Sequence, residues 1–197
     1  MEPALIAPLM LYSFVCSATP GPNNIMLASS GLAFGLRRTV PHMLGICFGC
    51  AAMLGLSGLG LGAAFEAWPA LRWAIRIAGA AYLVWLAVVL WHSDGVTQSG
   101  KAQPFGFWQA AAFQFVNPKV WVITMPAIAT FTVPGRPLGL QLVMLVAVFT
   151  AVGLPSIAVW AAFGAGARGL LTNPRAMAMF VKAMAVLTGL TALLFLA

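Results

Sequence analysis

Two short runs of this sequence carry residue types and spacings able to hold a small charged solute. The first is Thr19-Pro20-Gly21-Pro22-Asn23-Asn24, set between the apolar stretches Ala4–Ala18 and Ile25–Leu32. Each proline lacks a backbone donor, and its ring clashes with the preceding turn of a helix. Pro22 also steers Gly21 away from helical geometry. The run therefore predicts a broken helix, with a second half-helix starting near Asn23. A half-helix N-terminus presents free N–H groups and the positive end of the helix dipole, which suits an anion such as a carboxylate. Thr19, Asn23 and Asn24 add side-chain donors and acceptors. The bland reading is a kink whose freed groups are capped by Thr19 and the asparagines. The second run is Asn117-Pro118-Lys119, inside the apolar stretch Trp108–Phe131. A lysine at mid-membrane costs about 2.5–3.5 kcal/mol on insertion scales, so it normally faces a partner or a wet cavity. Lys119 is then a fixed positive charge for a carboxylate. Its bland reading is a helix that starts later, with the ammonium snorkelling to an interface. The predicted substrate-binding set is Thr19, Pro20, Gly21, Pro22, Asn23, Asn24, Asn117, Pro118 and Lys119.

The elements that must position these residues follow from composition. Of 197 residues, 62% are hydrophobic and 7% charged. Soluble domains carry about 25% charged residues, so this surface is written for lipid. The net charge of +7 forms no dense patch. Nucleic acid is therefore not an expected partner. A bilayer core about 30 Å thick needs about 20 apolar residues per helix. Six segments approach that length: Ala4–Leu32, Pro41–Ala64, Trp68–Trp91, Trp108–Phe131, Leu138–Phe163 and Ala176–Leu196. The first would measure about 43 Å as one straight helix, more than a span requires. The breaks hold Arg37 and Arg38, Glu66, the polar stretch His92 to Phe107, Pro134 to Pro137, and Arg168 to Arg175. Placing the N-terminus outside puts Arg37, Arg38, Lys101, Arg168 and Arg175 inside, as the positive-inside bias favours. Glu2 and the lack of a basic start argue against a secretory leader.

The chain also echoes itself. Trp73-Ala74-Ile75-Arg76-Ile77-Ala78 and Met179-Phe180-Val181-Lys182-Ala183-Met184 each place one cation about a turn into a helix, after Pro69 and Pro174. The first and fourth segments each carry a proline motif near mid-span. The expectation is an all-α polytopic membrane protein of six transmembrane helices, arranged as two inverted three-helix repeats. Residues 1–91 form the first half, 92–107 a polar linker and 108–197 the second half, in one domain. An odd helix count per half forces opposite orientations, and such repeats place the site at their interface.

Other features read as structural. Cys16, Cys47 and Cys50 sit in apolar stretches, where they read as small buried residues rather than disulfides or ligands. Gly45-x-x-x-Gly49 suits close helix packing, within the chain or between two copies of a homodimer. Trp68, Trp73, Trp91 and Trp108 fall near helix ends, while Trp85, Trp121 and Trp160 read as packing residues. Arg76 and Lys182 read as snorkelling cations. His42 and His92 read as interfacial, and Glu66 and Asp94 as solvated loop charges. No nucleophile elbow, phosphate loop or metal motif occurs, so neither enzyme activity, metal nor cofactor is expected.

The motif Thr19 to Asn24, followed by Gly35 and Arg37-Arg38, resembles the N-terminal signature of the LysE/RhtB amino-acid exporter family. Ala78-Gly79-Ala80-Ala81-Tyr82-Leu83 with Trp85-Leu86, and Phe115-Val116-Asn117-Pro118-Lys119, are similar to its third- and fourth-helix motifs. Pro22 to Ile25, Phe107-Trp108 and Phe113 to Asn117 are most similar to the cysteine/O-acetylserine exporter branch. Many members carry an aspartate after the Pro-Gly-Pro run; here Asn23 stands there, so no carboxylate role transfers. The resemblance implies export of amino acids or their derivatives across the bacterial cytoplasmic membrane, driven by the proton gradient. The partners are then an amino-acid solute and membrane lipid. Rival readings are a permease for another small solute or ion, and a non-transporting membrane protein.

Overall fold

Both proline motifs interrupt their helices. The computed structural model describes residues 3–19, 21–61, 68–92, 104–133, 135–170, 175, 178–179, 182–183 and 185–190. After a short 3-10 turn at Pro3–Leu5, helix α1 runs Ile6–Ala18 and α2 runs Pro22–Phe34. Pro22 occupies the first turn of α2, where its missing N–H costs nothing. The backbone on either side is extended, with ψ 139° at Thr19 and φ −177° at Gly21. The same grammar recurs in the second half of the chain. Helix α5 (Phe107–Val116) stops at Asn117, and α6 (Pro118–Phe131) restarts with Pro118 in its first turn.

The other elements are longer. Helix α3 spans Leu36–Leu56 and passes into a π-turn at Ser57–Leu61. Helix α4 spans Pro69–Trp91, and α7 spans the 33 residues Leu138–Leu170. Residues 185–190 are helical as well. Among the described residues there is no strand, as an all-α chain requires. Among the described residues, two helices are long and apolar enough to cross a bilayer whole, over Leu36–Gly60 and Leu138–Ala167.

Two boundaries differ from expectation. Gly35 adopts φ 80°, a left-handed turn that favours glycine, so α3 starts at once and carries Arg37 and Arg38 in its first turn. Pro41, expected to open that helix, lies inside it. Helix α7 continues past Phe163 to Leu170, with Pro155 inside it. Glu66, Asp94 and most of the 92–107 linker lie outside the described residues.

Close crossings between small residues hold the helices together. A Cβ on Gly31 would come within 2.1 Å of the Ala161 carbonyl oxygen, and one on Gly164 within 1.9 Å of the Ala28 carbonyl oxygen. Backbones therefore touch where α2 crosses α7. Gly45 and Gly49 make the same contact between α3 and α5, against Phe107, Ala110 and Ala111. The Gly45-x-x-x-Gly49 pattern is thus consumed within the chain.

These contacts also set directions. Ser17 of α1 neighbours Gly153, and Ala28 of α2 meets Gly164, so α1, α2 and α7 run the same way. Gly45 meets Phe107, Gly49 meets Gln114, and Ser57 bonds Thr124, so α3, α5 and α6 run together. Tyr12 donates to the Ile123 carbonyl and Lys119 reaches Thr19, so α1 and α6 are antiparallel. Gly189 faces Ala87 and Lys182 lies 5.3 Å from the Trp91 ring, which makes α4 and the C-terminal helical residues antiparallel.

Outward faces are apolar. Leu11, Val122, Val143 and Val159 are 65%, 69%, 65% and 67% exposed. Trp85, expected to pack inside, is 56% exposed on this surface. His42, expected at an interface, is instead buried against the Phe105 ring at 5.1 Å, because α3 begins a turn earlier than Pro41.

Candidate functional site

The two interruptions face each other across the centre of the molecule. The last turn of α1 leaves carbonyls with no helical partner, and each meets a donor. The Cys16 carbonyl accepts from Thr19 Oγ1 at 3.2 Å, and that of Ser17 from Asn24 Nδ2 at 2.8 Å. The Ala18 carbonyl accepts from Trp160 Nε1 at 3.2 Å. The Thr19 carbonyl accepts from Asn24 Nδ2 at 2.8 Å and from Lys119 Nζ at 2.8 Å. Lys119 Nζ also donates to Thr19 Oγ1 at 2.9 Å. An ammonium at the negative end of a helix dipole is electrostatically well placed.

Lys119 reaches Thr19 by passing over Gly21. A Cβ at Gly21 would stand 2.9 Å from Lys119 Cδ and 3.0 Å from Nζ. A side chain at position 21 would make the lysine shift, whereas the extended backbone angles there suit any residue.

The half-helix starts are treated differently. Asn117 caps α6, its Oδ1 accepting from the Lys119 backbone N–H at 3.1 Å. Among the described residues no side chain caps α2 at Gly21. The backbone N–H groups of Asn23 and Asn24, in the first turn of α2, therefore form the open end of the pair. Asn23 and Gln114 clasp each other, Asn23 Nδ2 donating to Gln114 Oε1 at 2.8 Å and Gln114 Nε2 to Asn23 Oδ1 at 3.2 Å. Gln114 is fully buried, donates to the Ala110 carbonyl at 2.7 Å, and accepts from Asn117 Nδ2 at 3.5 Å.

A cavity of about 70 Å³ opens between these groups. Gly21, Asn23, Asn24, Asn117 and Lys119 line it, together with Ser17, Cys50 and Phe149. At about 10–15 Å³ per water, that is room for roughly five water-sized atoms. Lys119 is its one charged residue among the described residues. The wall combines an ammonium and an uncapped helix start with amides and apolar surface. It suits a small molecule bearing a carboxylate.

The predicted set thus largely converges. Gly21, Asn23, Asn24, Asn117 and Lys119 line the cavity, and Thr19 holds Lys119 from its rim. Pro22 and Pro118 each occupy the first turn of a restarted helix. Pro20 lies outside the described residues. Gln114, Ser17 and Cys50 belong to the site without belonging to the predicted set. A glutamine within an apolar run is the one signal that pointed to Gln114, since unbonded amide groups are costly there. The three cysteines, read as buried, are half-buried free thiols on cavity walls.

Helices broken at mid-length around a largely apolar cavity that holds one ammonium and several amides, on an otherwise apolar exterior, define a helical membrane protein that handles a small solute. The model of the LysE type translocator family matches residues 14–197, and the chain belongs to that family. It is 33% identical over 171 residues to a cysteine/O-acetylserine efflux protein of Klebsiella pneumoniae, covering 83% of this chain and 84% of that one. It is 35% identical over 135 residues to the protein of the same description in Escherichia coli K12, covering 68% and 69%. The corresponding protein of Salmonella typhimurium is 33% identical over 135 residues, with the same coverage. No solved structure matches the chain.

Proposed function

We propose that this protein exports small neutral amino acids and their derivatives, cysteine and O-acetylserine among them, across the bacterial cytoplasmic membrane. The solute occupies the cavity between the interruptions. Its carboxylate takes the uncapped N–H groups of α2 and the Lys119 ammonium, and its own ammonium replaces Lys119 at the Thr19 carbonyl. The observation that carries this reading is the bridge from Lys119 to Thr19, which brings both broken helices to one cavity.

The architecture proposed is six spans in two inverted halves, with α1 and α2 forming the first span and α5 and α6 the fourth. Helix directions support it. Alternating spans require the first and fifth to be parallel, the second and fourth parallel, and the third and sixth antiparallel. The contacts at Gly153, Gly164, Gly45, Gly49 and Gly189 have those senses. Exchanging the halves also maps the first–fifth contact onto the fourth–second contact. The halves rock about the seam to open the cavity to each side in turn, drawing on the proton gradient. The N-terminus lies outside, which puts Arg37 and Arg38 at the cytoplasmic face.

The test is counterflow of labelled cysteine into proteoliposomes, with and without a pH gradient. Saturable flux that the gradient accelerates, and that disappears in Lys119→Ala, is the expected result. Full flux in Lys119→Ala, or no amino-acid flux in the unaltered protein, overturns the proposal.

A further inference from the structure

A second cavity, of about 60 Å³, adjoins the first. Ser17, Cys50, Leu54 and Phe149 belong to both walls. Beyond them the second cavity is closed by Cys47, Ala51, Val146, Thr150 and Gly153, and no charged residue lines it among the described residues. It has no part in the carboxylate and ammonium contacts, since Gly21, Asn24 and Lys119 line the first cavity alone.

We infer that this second cavity is the side-chain subsite of the transported solute, and that Gly153 and Cys47 set which side chains fit. The inference rests on the proposed amino-acid export. With the charged end of the solute held at Lys119 and α2, its Cβ points toward the shared wall and its side chain enters the second cavity. The volume admits roughly four to six water-sized atoms at about 10–15 Å³ each. That matches a thiomethyl or an acyloxymethyl group and is too small for an indole. Two half-buried thiols and apolar neighbours give a soft, polarisable lining that favours sulfur and ester groups. A cationic side chain would enter a wall with no acidic partner, so burial of its charge goes uncompensated.

Gly153 controls the passage. A Cβ there would sit 3.2 Å from Ser17 Oγ, at the wall both cavities share. Gly153→Ala narrows the entrance by one methyl group, whereas Cys47→Ala deepens the far side by removing sulfur. A single methylene in such a pocket changes discrimination by about tenfold or more.

The experiment measures proteoliposome counterflow of alanine, cysteine, O-acetylserine, lysine and tryptophan for the unaltered protein and both variants. Rates are expressed as ratios to alanine, so that loss of folded protein cancels. The unaltered protein is expected to carry cysteine and O-acetylserine and to reject lysine and tryptophan. Gly153→Ala should lower the O-acetylserine-to-alanine ratio about tenfold, and Cys47→Ala should raise it. Ratios unchanged within about twofold in both variants, or lysine carried as well as cysteine, overturn the subsite while leaving amino-acid export intact. No amino-acid flux in the unaltered protein overturns the export reading, and the subsite with it.

Discussion

Replacing Lys119 with methionine should separate stability from transport. The ammonium makes hydrogen bonds of 2.8 and 2.9 Å to the Thr19 carbonyl and hydroxyl. Bonds to a charged group contribute about 1.5–3 kcal/mol each, so together about 3–6 kcal/mol. Against this stands the cost of about 2.5–3.5 kcal/mol for holding a lysine at mid-membrane. The two nearly cancel, and Lys119→Met is expected to change stability by about 2 kcal/mol or less. For a chain of this length, 1 kcal/mol moves the melting temperature by about 2–4 °C, so the shift stays within about 8 °C. Transport should behave otherwise. The solute loses its charged partner, at about 3 kcal/mol, which raises its apparent KM by about a hundredfold. The assay pairs melting of purified protein in detergent with initial rates of cysteine counterflow over a range of concentrations. A large drop in melting temperature with unchanged KM would refute the reasoning, because Lys119 would then be a strap between helices and nothing more.

Three further outcomes follow from the same geometry. Gln114→Leu removes both bonds of the clasp to Asn23 and the bond to Asn117, and should cost about 2–3 kcal/mol in a melt while slowing transport. Gly164→Leu drives a side chain into the Ala28 carbonyl, so α2 and α7 must part; about 1–3 kcal/mol or more should be lost, with the melting temperature falling before any change in substrate preference. With the N-terminus outside, a cysteine placed at Arg37 or Arg38 in a chain lacking its three native thiols should be labelled by an impermeant maleimide in inside-out vesicles and not in intact cells, both positions being exposed in the first turn of α3.

The parts of this molecule that could be read from sequence are those decided by local chemistry. Thr19 to Asn24 and Asn117 to Lys119 announce breaks because proline there stands beside short polar side chains that take up freed backbone groups, whereas Pro41, Pro126 and Pro155 lie inside helices. The apolar segments announce helices because the lipid-facing exterior asks for nothing else. What escaped was decided by neighbours distant in the chain. Gln114 matters because Asn23 and Asn117 lie beside it, and neither its own residue type nor its spacing names those partners. The start of α3 depends on the left-handed turn at Gly35, which outweighs the helix-breaking tendency of Pro41. His42 is buried for the same reason. The second cavity is bounded by side chains from α1, α3 and α7, and no single segment shows it. Helix capping was only half legible. The bland expectation that Thr19 and the asparagines cap a kink holds for the α1 carbonyls, while the N-terminus of α2 stays without a side-chain cap.

The decisive measurement is a structure of the protein with cysteine bound. The account predicts the solute carboxylate at about 3 Å from the backbone N–H groups of Asn23 and Asn24 and from Lys119 Nζ, with the lysine drawn away from the Thr19 carbonyl. A solute held elsewhere, with Lys119 still seated on Thr19, would contradict it.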